Sequence, residues 1–239
     1  MSGDEETGDS GGKPLLYGYW RSSSSYRVRI ALNLKQVAYQ QQTVHLVRDG
    51  GEQNLPAYRA LNPLGLVPAL AHDGRVIVQS VAICEYLEEV FPEPALLPAD
   101  TAGRARVRAI VQTFASEIQP LNNLGVLAYL GQELGQPAAA VRTWYAHWIE
   151  RGLAAVETWL GGAETGAFCH GDQPTLADCF LVPQIYNAER YACDLSDYPA
   201  VRRITRRCRS LGAFHLAEPE RQPDAVNSVA ETPPGRRGT

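Results

Sequence analysis

The run Leu15-Leu-Tyr-Gly-Tyr-Trp-Arg-Ser-Ser-Ser-Ser-Tyr-Arg-Val-Arg-Ile-Ala-Leu-Asn-Leu34 changes its hydrophobic period in mid-course. Residues 15–19 are rich in β-formers and lead into Trp20-Arg-Ser-Ser-Ser-Ser25. From Tyr26 to Leu34 the period becomes helical, with Val28, Ala31 and Leu32 on one face and Ile30 and Leu34 widening it. A strand handing over to a helix through a polar turn opens an α/β layer, and the following residues continue it. Thr43-Val-His-Leu46 reads as a second strand, residues 48–54 as a polar loop and residues 56–61 as a short helix. Two more strands, at residues 67–70 and 76–78, flank His72-Asp-Gly-Arg75, whose Asp-Gly pair signals a hairpin. Ser80 stands at the N-cap position of a helix over residues 81–90. The order β-α-β-α-β-β-α implies a mixed four-stranded sheet with helices packed on it.

Beyond the proline-punctuated link at residues 92–98, no strand pattern recurs. Helices are expected at about 101–132, 137–160 and 175–191, with shorter ones near 198–211. Gly161-Gly162 reads as a C-cap stop, and Thr175-Leu-Ala-Asp178 as a capping-box variant. The expected organisation is an α/β domain over residues 14–94 and an all-helical domain over 95–224. Disordered tails are expected at 1–13 and 225–239.

Composition excludes several classes. With 239 residues, 45% hydrophobic and 20% charged, the chain is globular rather than disordered. Lys+Arg 22 against Asp+Glu 26 gives a net charge of −4, which argues against nucleic acid or anionic lipid as partner. No apolar run approaches the roughly 18 residues of a membrane span. The first fourteen residues are acidic and glycine-rich, unlike a signal peptide, so a cytoplasmic location is expected. Cys84, Cys169, Cys179, Cys193 and Cys208 are odd in number and widely spaced, with no C-x-x-C, and reduced thiols are expected. The five histidines form no H-x-x-x-H pair, and no metal site is expected.

Three features carry chemistry. Residues 22–25 place four hydroxyls where a helix begins, among unpaired amides and the positive end of the dipole. A hydroxyl there can hold a thiolate ionised; the alternative reading is one capping serine and a solvated turn. Val67-Pro68 enters a strand on the side where proline donates no hydrogen bond. Were that bond cis, the Val67 amide and carbonyl would turn outward to grip a peptide-like ligand. Gln79-Ser80 at a helix start suits a carboxylate, or is a simple N-cap. All three fall at one end of the same sheet.

These residues resemble the zeta class of the glutathione S-transferases, which includes the maleylacetoacetate isomerases. The resemblance runs from Trp20–Leu32 through Asn62-Pro-x-x-x-Val-Pro68, Gln79-Ser-x-Ala-Ile83, Gln119-Pro-Leu-Asn-Asn123, Gly171-Asp-x-Pro-Thr-Leu-Ala-Asp178, Leu181-Val-Pro-Gln184, Asn187-Ala-Glu-Arg190 and Tyr198-Pro199. It covers about residues 14–224 and implies a thioredoxin-like N-domain followed by an all-helical C-domain. It also implies glutathione as cofactor, a homodimer, and a place in tyrosine degradation.

Residue by residue, the resemblance makes Ser22 the hydroxyl near the glutathione sulfur, with Ser23 and Ser24 beside it. Val67, before the family's cis-proline Pro68, would pair with the cysteinyl backbone. Gln79 and Ser80 would take the γ-glutamyl carboxylate, Gln53 would lie near the glycyl end, and Gln119 and Asn123 would face the cleft. Arg21 and Arg190 would hold a cis-unsaturated diacid. The family motif often reads Ser-Ser-Cys, and Ser24 stands where the cysteine would be. That disfavours chemistry through a mixed disulfide but leaves isomerisation, in which glutathione is the nucleophile. The implied activity is maleylacetoacetate cis–trans isomerisation by thiolate addition, bond rotation and elimination. Maleylpyruvate isomerase, a broad glutathione transferase and a non-catalytic glutathione-binding module are the alternatives. Leu124-Gly125 stands where a maleylpyruvate isomerase would carry basic residues, which favours maleylacetoacetate.

Overall fold

Strand β1 (Leu15–Gly18) lies inside a four-stranded sheet of order β2-β1-β3-β4 in a computed structural model that describes residues 12–225. The two expected tails lie almost wholly outside the described residues. β2 (Gln40–Thr43) runs parallel to β1, whereas β3 (Ala69–His72) and β4 (Arg75–Val78) pair antiparallel, with Leu16 opposite both Gln41 and Leu70. The mixed sheet followed by helices is as expected from the sequence.

The second strand falls three residues earlier than expected. Its residues, Gln-Gln-Gln-Thr, are all exposed and have no β-branched signal until Thr43. Backbone pairing places them: Gln40 N–H donates to Pro14 O and Val44 N–H to Gly18 O. Val44 and His45, read as strand, instead turn inward and are buried. This edge strand is met by the chain's last described segment, where Gln41 Nε2 donates to Gln222 Oε1 at 3.1 Å. The hairpin holds as expected, with Asp73 and Gly74 at φ 48° and 71°.

Helix α1 (Ser23–Leu34) is buried without interruption from Ser23 to Leu32, because three later helices of the chain pack around it. Its narrow expected face is therefore an underestimate. Even Arg27 and Arg29 are buried, and burial pushes both guanidiniums down to about 10, leaving them charged at neutral pH. Arg29 donates to Trp20 O at 2.9 Å and Ala217 O at 3.1 Å, tying the serine turn to the C-terminal helices. α2 (Pro56–Leu61) forms where expected, with proline in its first turn. α3 (Ser80–Val90) begins one residue early, so Ser80 is its first residue rather than its N-cap; Gln79 holds the cap position at φ 72°.

The link to the helical half is fastened by a buried pair. Lys35 Nζ lies 2.6 Å from Glu88 Oε2 and donates to Phe91 O and Pro94 O, while Glu88 accepts from the Leu96 and Leu97 amides. Then come α4 (Thr101–Gln112), α5 (Leu124–Ala128), α6 (Ala138–Leu160), α7 (Leu176–Arg190), α8 (Pro199–Arg209) and α9 (Gly212–Ala217). The single helix expected over 101–132 is broken. A wide turn follows α4, with Gln119 N–H reaching back to Phe114 O, and Pro120 has no amide to continue the ladder. α6 ends at Gly161 in a right-handed conformation, so the Gly161-Gly162 stop uses no left-handed cap.

The capping box forms as expected at the start of α7. Asp178, fully buried, accepts from the Thr175 amide at 2.8 Å, the Thr175 hydroxyl at 2.9 Å and the Cys169 amide at 2.9 Å. Burial raises its carboxyl's pKa, and the hydrogen bonds to these donors oppose that rise. Asp178→Ala strands those donors in a dry site, at about 1–3 kcal/mol each. Thermal unfolding should show a loss of at least about 3 kcal/mol; a loss below about 1 kcal/mol would show that the box is not needed.

Candidate active site

The end of the sheet that carries the serine turn faces α4, α6 and α7 across a cleft with two joined lobes of about 250 and 360 Å³. Together they fall within the roughly 300–1,000 Å³ of small-molecule sites. Ser24, Val67, Gln119 and Asn123 line both lobes and mark the place where these meet.

The serine turn contains a capping serine, as the alternative reading of its sequence expects. Ser22 Oγ accepts from the Ser25 amide at 3.2 Å, so Ser22 is the N-cap. Capping uses a lone pair and leaves the hydroxyl hydrogen available to an anion in the cleft. Ser22, Ser23 and Ser24 all line the larger lobe, and the last two are buried rather than solvated. Ser25 departs from the expected convergence: it is fully buried, accepts from the Tyr19 amide at 3.4 Å and lines neither lobe. Among the described residues the Ser23 and Ser24 amides have no partner, which leaves the open, positive end of α1 facing the cleft.

The smaller lobe gathers polar groups that the described chain leaves unpaired. The Val67–Pro68 peptide is cis, and within the described chain neither the amide nor the carbonyl of Val67 is paired. Gln79 sits in a left-handed conformation that costs a residue with a Cβ about 1–3 kcal/mol, and its side chain caps nothing. Its amide is left to the lobe. Ser80 Oγ accepts from Arg27 at 3.2 Å, so its own hydrogen can point at a ligand. Arg27 stacks on Phe180 at 4.6 Å, and its outer amino group is buried without a partner.

In the larger lobe, Gln53 donates to Leu46 O at 3.3 Å and leaves its amide oxygen buried and unpartnered. Gln119 ends the wide turn, and Asn123 is not on a continuous helix but caps α5 by accepting from the Gly125 amide. Arg21 and Arg190 both line this lobe. Arg190 is exposed, lies over the Tyr191 ring at 5.2 Å, and has no carboxylate partner among the described residues. Every sequence-derived site residue thus lines one lobe or both.

Sequence reasoning missed Arg27, Tyr145, Gln184 and Asn187, which also line the cleft. Gln184 had a visible signal: it is the polar residue in Phe180-Leu-Val-Pro-Gln-Ile185, inside an otherwise apolar run. Tyr145 had none, since its place is fixed by stacking on Tyr191 at 3.5 Å. No cysteine lines either lobe. Among the described residues no group of three metal-ligating side chains assembles, and no helix is long and apolar enough to cross a membrane.

Two family models match the chain: the glutathione S-transferase N-terminal domain over residues 21–90 and the C-terminal domain over residues 142–207. The maleylacetoacetate isomerase of Pseudomonas aeruginosa is 50% identical over 210 residues, spanning 87% of this chain and 97% of that protein. A maleylpyruvate isomerase, described as a bacterial glutathione S-transferase of the zeta class, superposes with a TM-score of 0.86 at 47% identity over 88% of this chain and 99% of its own. The maleylacetoacetate isomerase of Anaeromyxobacter dehalogenans 2CP-1, solved with dicarboxyethyl glutathione and citrate in its active site, gives 0.78 at 47% identity over 89% and 97%.

Burial pushes every thiol up, the half-exposed Cys193 to about 11 and Cys84 to about 12. A raised pKa lowers the thiolate fraction at every pH below it, so at neutral pH Cys193 carries about a hundredfold less thiolate than a free thiol. Iodoacetamide should alkylate the native protein at least that much more slowly than free cysteine. A single fast-reacting site would place a nucleophile among the protein's own cysteines.

Proposed function

The chain belongs to the zeta class of the glutathione S-transferase family, and from that membership we propose that it is a glutathione-dependent isomerase converting maleylacetoacetate to fumarylacetoacetate. The observation that carries this reading is the joining of a carboxylate lobe, a helix terminus ringed by hydroxyls, and a lobe with two arginines. The residues present suit glutathione. The unpaired Val67 peptide matches its cysteinyl backbone, and Gln79, Ser80 and the α3 terminus match its γ-glutamyl carboxylate. Gln53, with its orphan oxygen, stands at the glycyl end. When bound, glutathione supplies a thiolate that adds to the cis double bond and departs after rotation.

The chain's task is to keep that sulfur anionic and the diacid in place. A free thiol has a pKa of about 8.5, and lowering it by two units takes about 2.7 kcal/mol. One hydrogen bond from the Ser22 hydroxyl to a charged group gives about 1.5–3 kcal/mol, and the terminus of α1 adds about 0.3–1 kcal/mol. Ser23 and Ser24 contribute their amides, and Ser24, in the family's cysteine position, adds a further hydroxyl near the sulfur. Arg21 and Arg190 fix the carboxylates, so that the double bond lies against the serine turn. Leu124 and Gly125 line the larger lobe without charge, which suits maleylacetoacetate, longer by one methylene than maleylpyruvate. We place the boundary between the two domains at residues 94 and 95, and a cytoplasmic homodimer accords with the class.

Purified protein should isomerise maleylacetoacetate with glutathione and not without it, and faster than it isomerises maleylpyruvate. Failure to turn over either diacid while retaining glutathione would favour the non-catalytic binding module. Ser22→Ala should lower kcat at neutral pH by about 10- to 150-fold, with little change in glutathione affinity. The lost cap costs about 1 kcal/mol and is read separately by thermal unfolding. Unchanged kcat would remove Ser22 from its role. Arg190→Ala should raise KM for the diacid about tenfold or more, and an unaltered KM would take Arg190 out of the substrate lobe.

A further inference from the structure

We propose that Gln184 is a substrate-positioning residue, whose amide hydrogen-bonds the ketone oxygen conjugated to the cis double bond of the diacid; this rests on the functional reading above. Gln184 is 1% exposed on α7, and neither its amide nitrogen nor its amide oxygen has a partner. Buried polar atoms are almost always paired, because an unpaired one loses its hydration with nothing in return. Here both ends of one amide are orphaned, and the side chain lines the larger lobe together with Asn187, one turn along, and Arg190, two turns along. The fold therefore holds a dry, neutral donor beside the wall that carries the carboxylate-binding arginine.

Neutrality selects the ligand atom. A carboxylate in a dry site calls for a cation, which Arg21 and Arg190 supply elsewhere in the lobe. A ketone oxygen is matched by an amide N–H, and charge gathers on that oxygen as a nucleophile adds to the conjugated double bond. Gln184 would thus grip the substrate more tightly as the reaction proceeds, and no proton is transferred. Pro183, immediately before it, has no amide of its own and interrupts the α7 ladder, where Gln184 leaves the otherwise apolar buried run.

The test uses Gln184→Met, which keeps volume and removes both polar atoms, with Gln184→Ala as a second variant should the first not fold. Affinities are measured calorimetrically for glutathione, for dicarboxyethyl glutathione, and for the thioether of glutathione with 4-oxopent-2-enoic acid, which bears a ketone in place of one carboxylate. Gln184→Met should raise Tm, because the orphaned amide is gone. The glutathione Kd should stay within about twofold, the Kd of the ketone conjugate should rise about tenfold, and that of dicarboxyethyl glutathione should rise less than threefold. The tenfold rise corresponds to about 1.4 kcal/mol, the size of a single hydrogen bond. A lower Tm with equal losses for all three ligands would make Gln184 structural and overturn the proposal. Equal weakening of the two conjugates, or no weakening of either, would overturn it as well. These affinities are read without turnover, so an absence of isomerase activity in the unsubstituted protein would contradict the functional reading alone.

Discussion

Ten consecutive buried residues, Ser23 to Leu32, make α1 a helix that cannot use bulk water to satisfy its first turn. α3, α7 and α9 pack around it, and the chain must satisfy those leading amides from within. Ser22 satisfies one by capping, and Arg29 fixes the preceding turn by donating to the Trp20 carbonyl. The amides of Ser23 and Ser24 are left with a single outlet, the cleft. On the proposed function, an anion bound there would meet those amides, and the low local dielectric would strengthen their hold on a thiolate. On the same reading, Ser22, Ser23 and Ser24 would serve the folding of this turn and the stabilisation of a thiolate together.

That terminus is useful only if the opposing wall stays in register with it. Two fully or nearly buried carboxylates hold the register. Glu88, paired with Lys35, gathers the amides of Leu96 and Leu97 and so fixes the link between the halves. Asp178 fixes the start of α7, the helix that carries Gln184, Asn187 and Arg190 into the cleft, and the neighbouring Leu176 amide donates to Leu96 O at 2.8 Å. Removing one partner of such an arrangement leaves the others desolvated and unpaired, so the cleft's geometry is held by groups that lie outside it. Arg27 joins both walls, donating to Ser80 at the start of α3 and stacking on Phe180 of α7.

The parts legible in the sequence were those governed by local physics. A period change located β1 and α1; Asp73-Gly74 located the hairpin; and Thr175–Asp178 located the start of α7. The serine run, Val67-Pro68 and Gln79-Ser80 each pointed weakly to chemistry, and it was their place on one unit that gave them meaning. What escaped was set by pairing and packing between distant segments. The polar strand Gln40–Thr43 exists because Pro14 and Gly18 present carbonyls to it, which no propensity in the triple glutamine announces. Gln79 was read as part of a cap, yet its left-handed backbone is imposed by the strand-to-helix turn. The departure of Ser25 from the cleft follows from one hydrogen bond to Tyr19, since an N3 side chain faces back along the strand. Tyr145 and Arg27 enter the cleft through contacts with Tyr191 and Phe180, far away in sequence.

The most direct test of the account is a titration of the thiol of bound glutathione, followed by the ultraviolet absorbance of the thiolate in the saturated protein. The account predicts a midpoint at or below about pH 7, against about 8.5 for a free thiol. A midpoint unchanged from that of free glutathione would contradict it, because the α1 terminus and its hydroxyls would then be giving the sulfur no charge stabilisation.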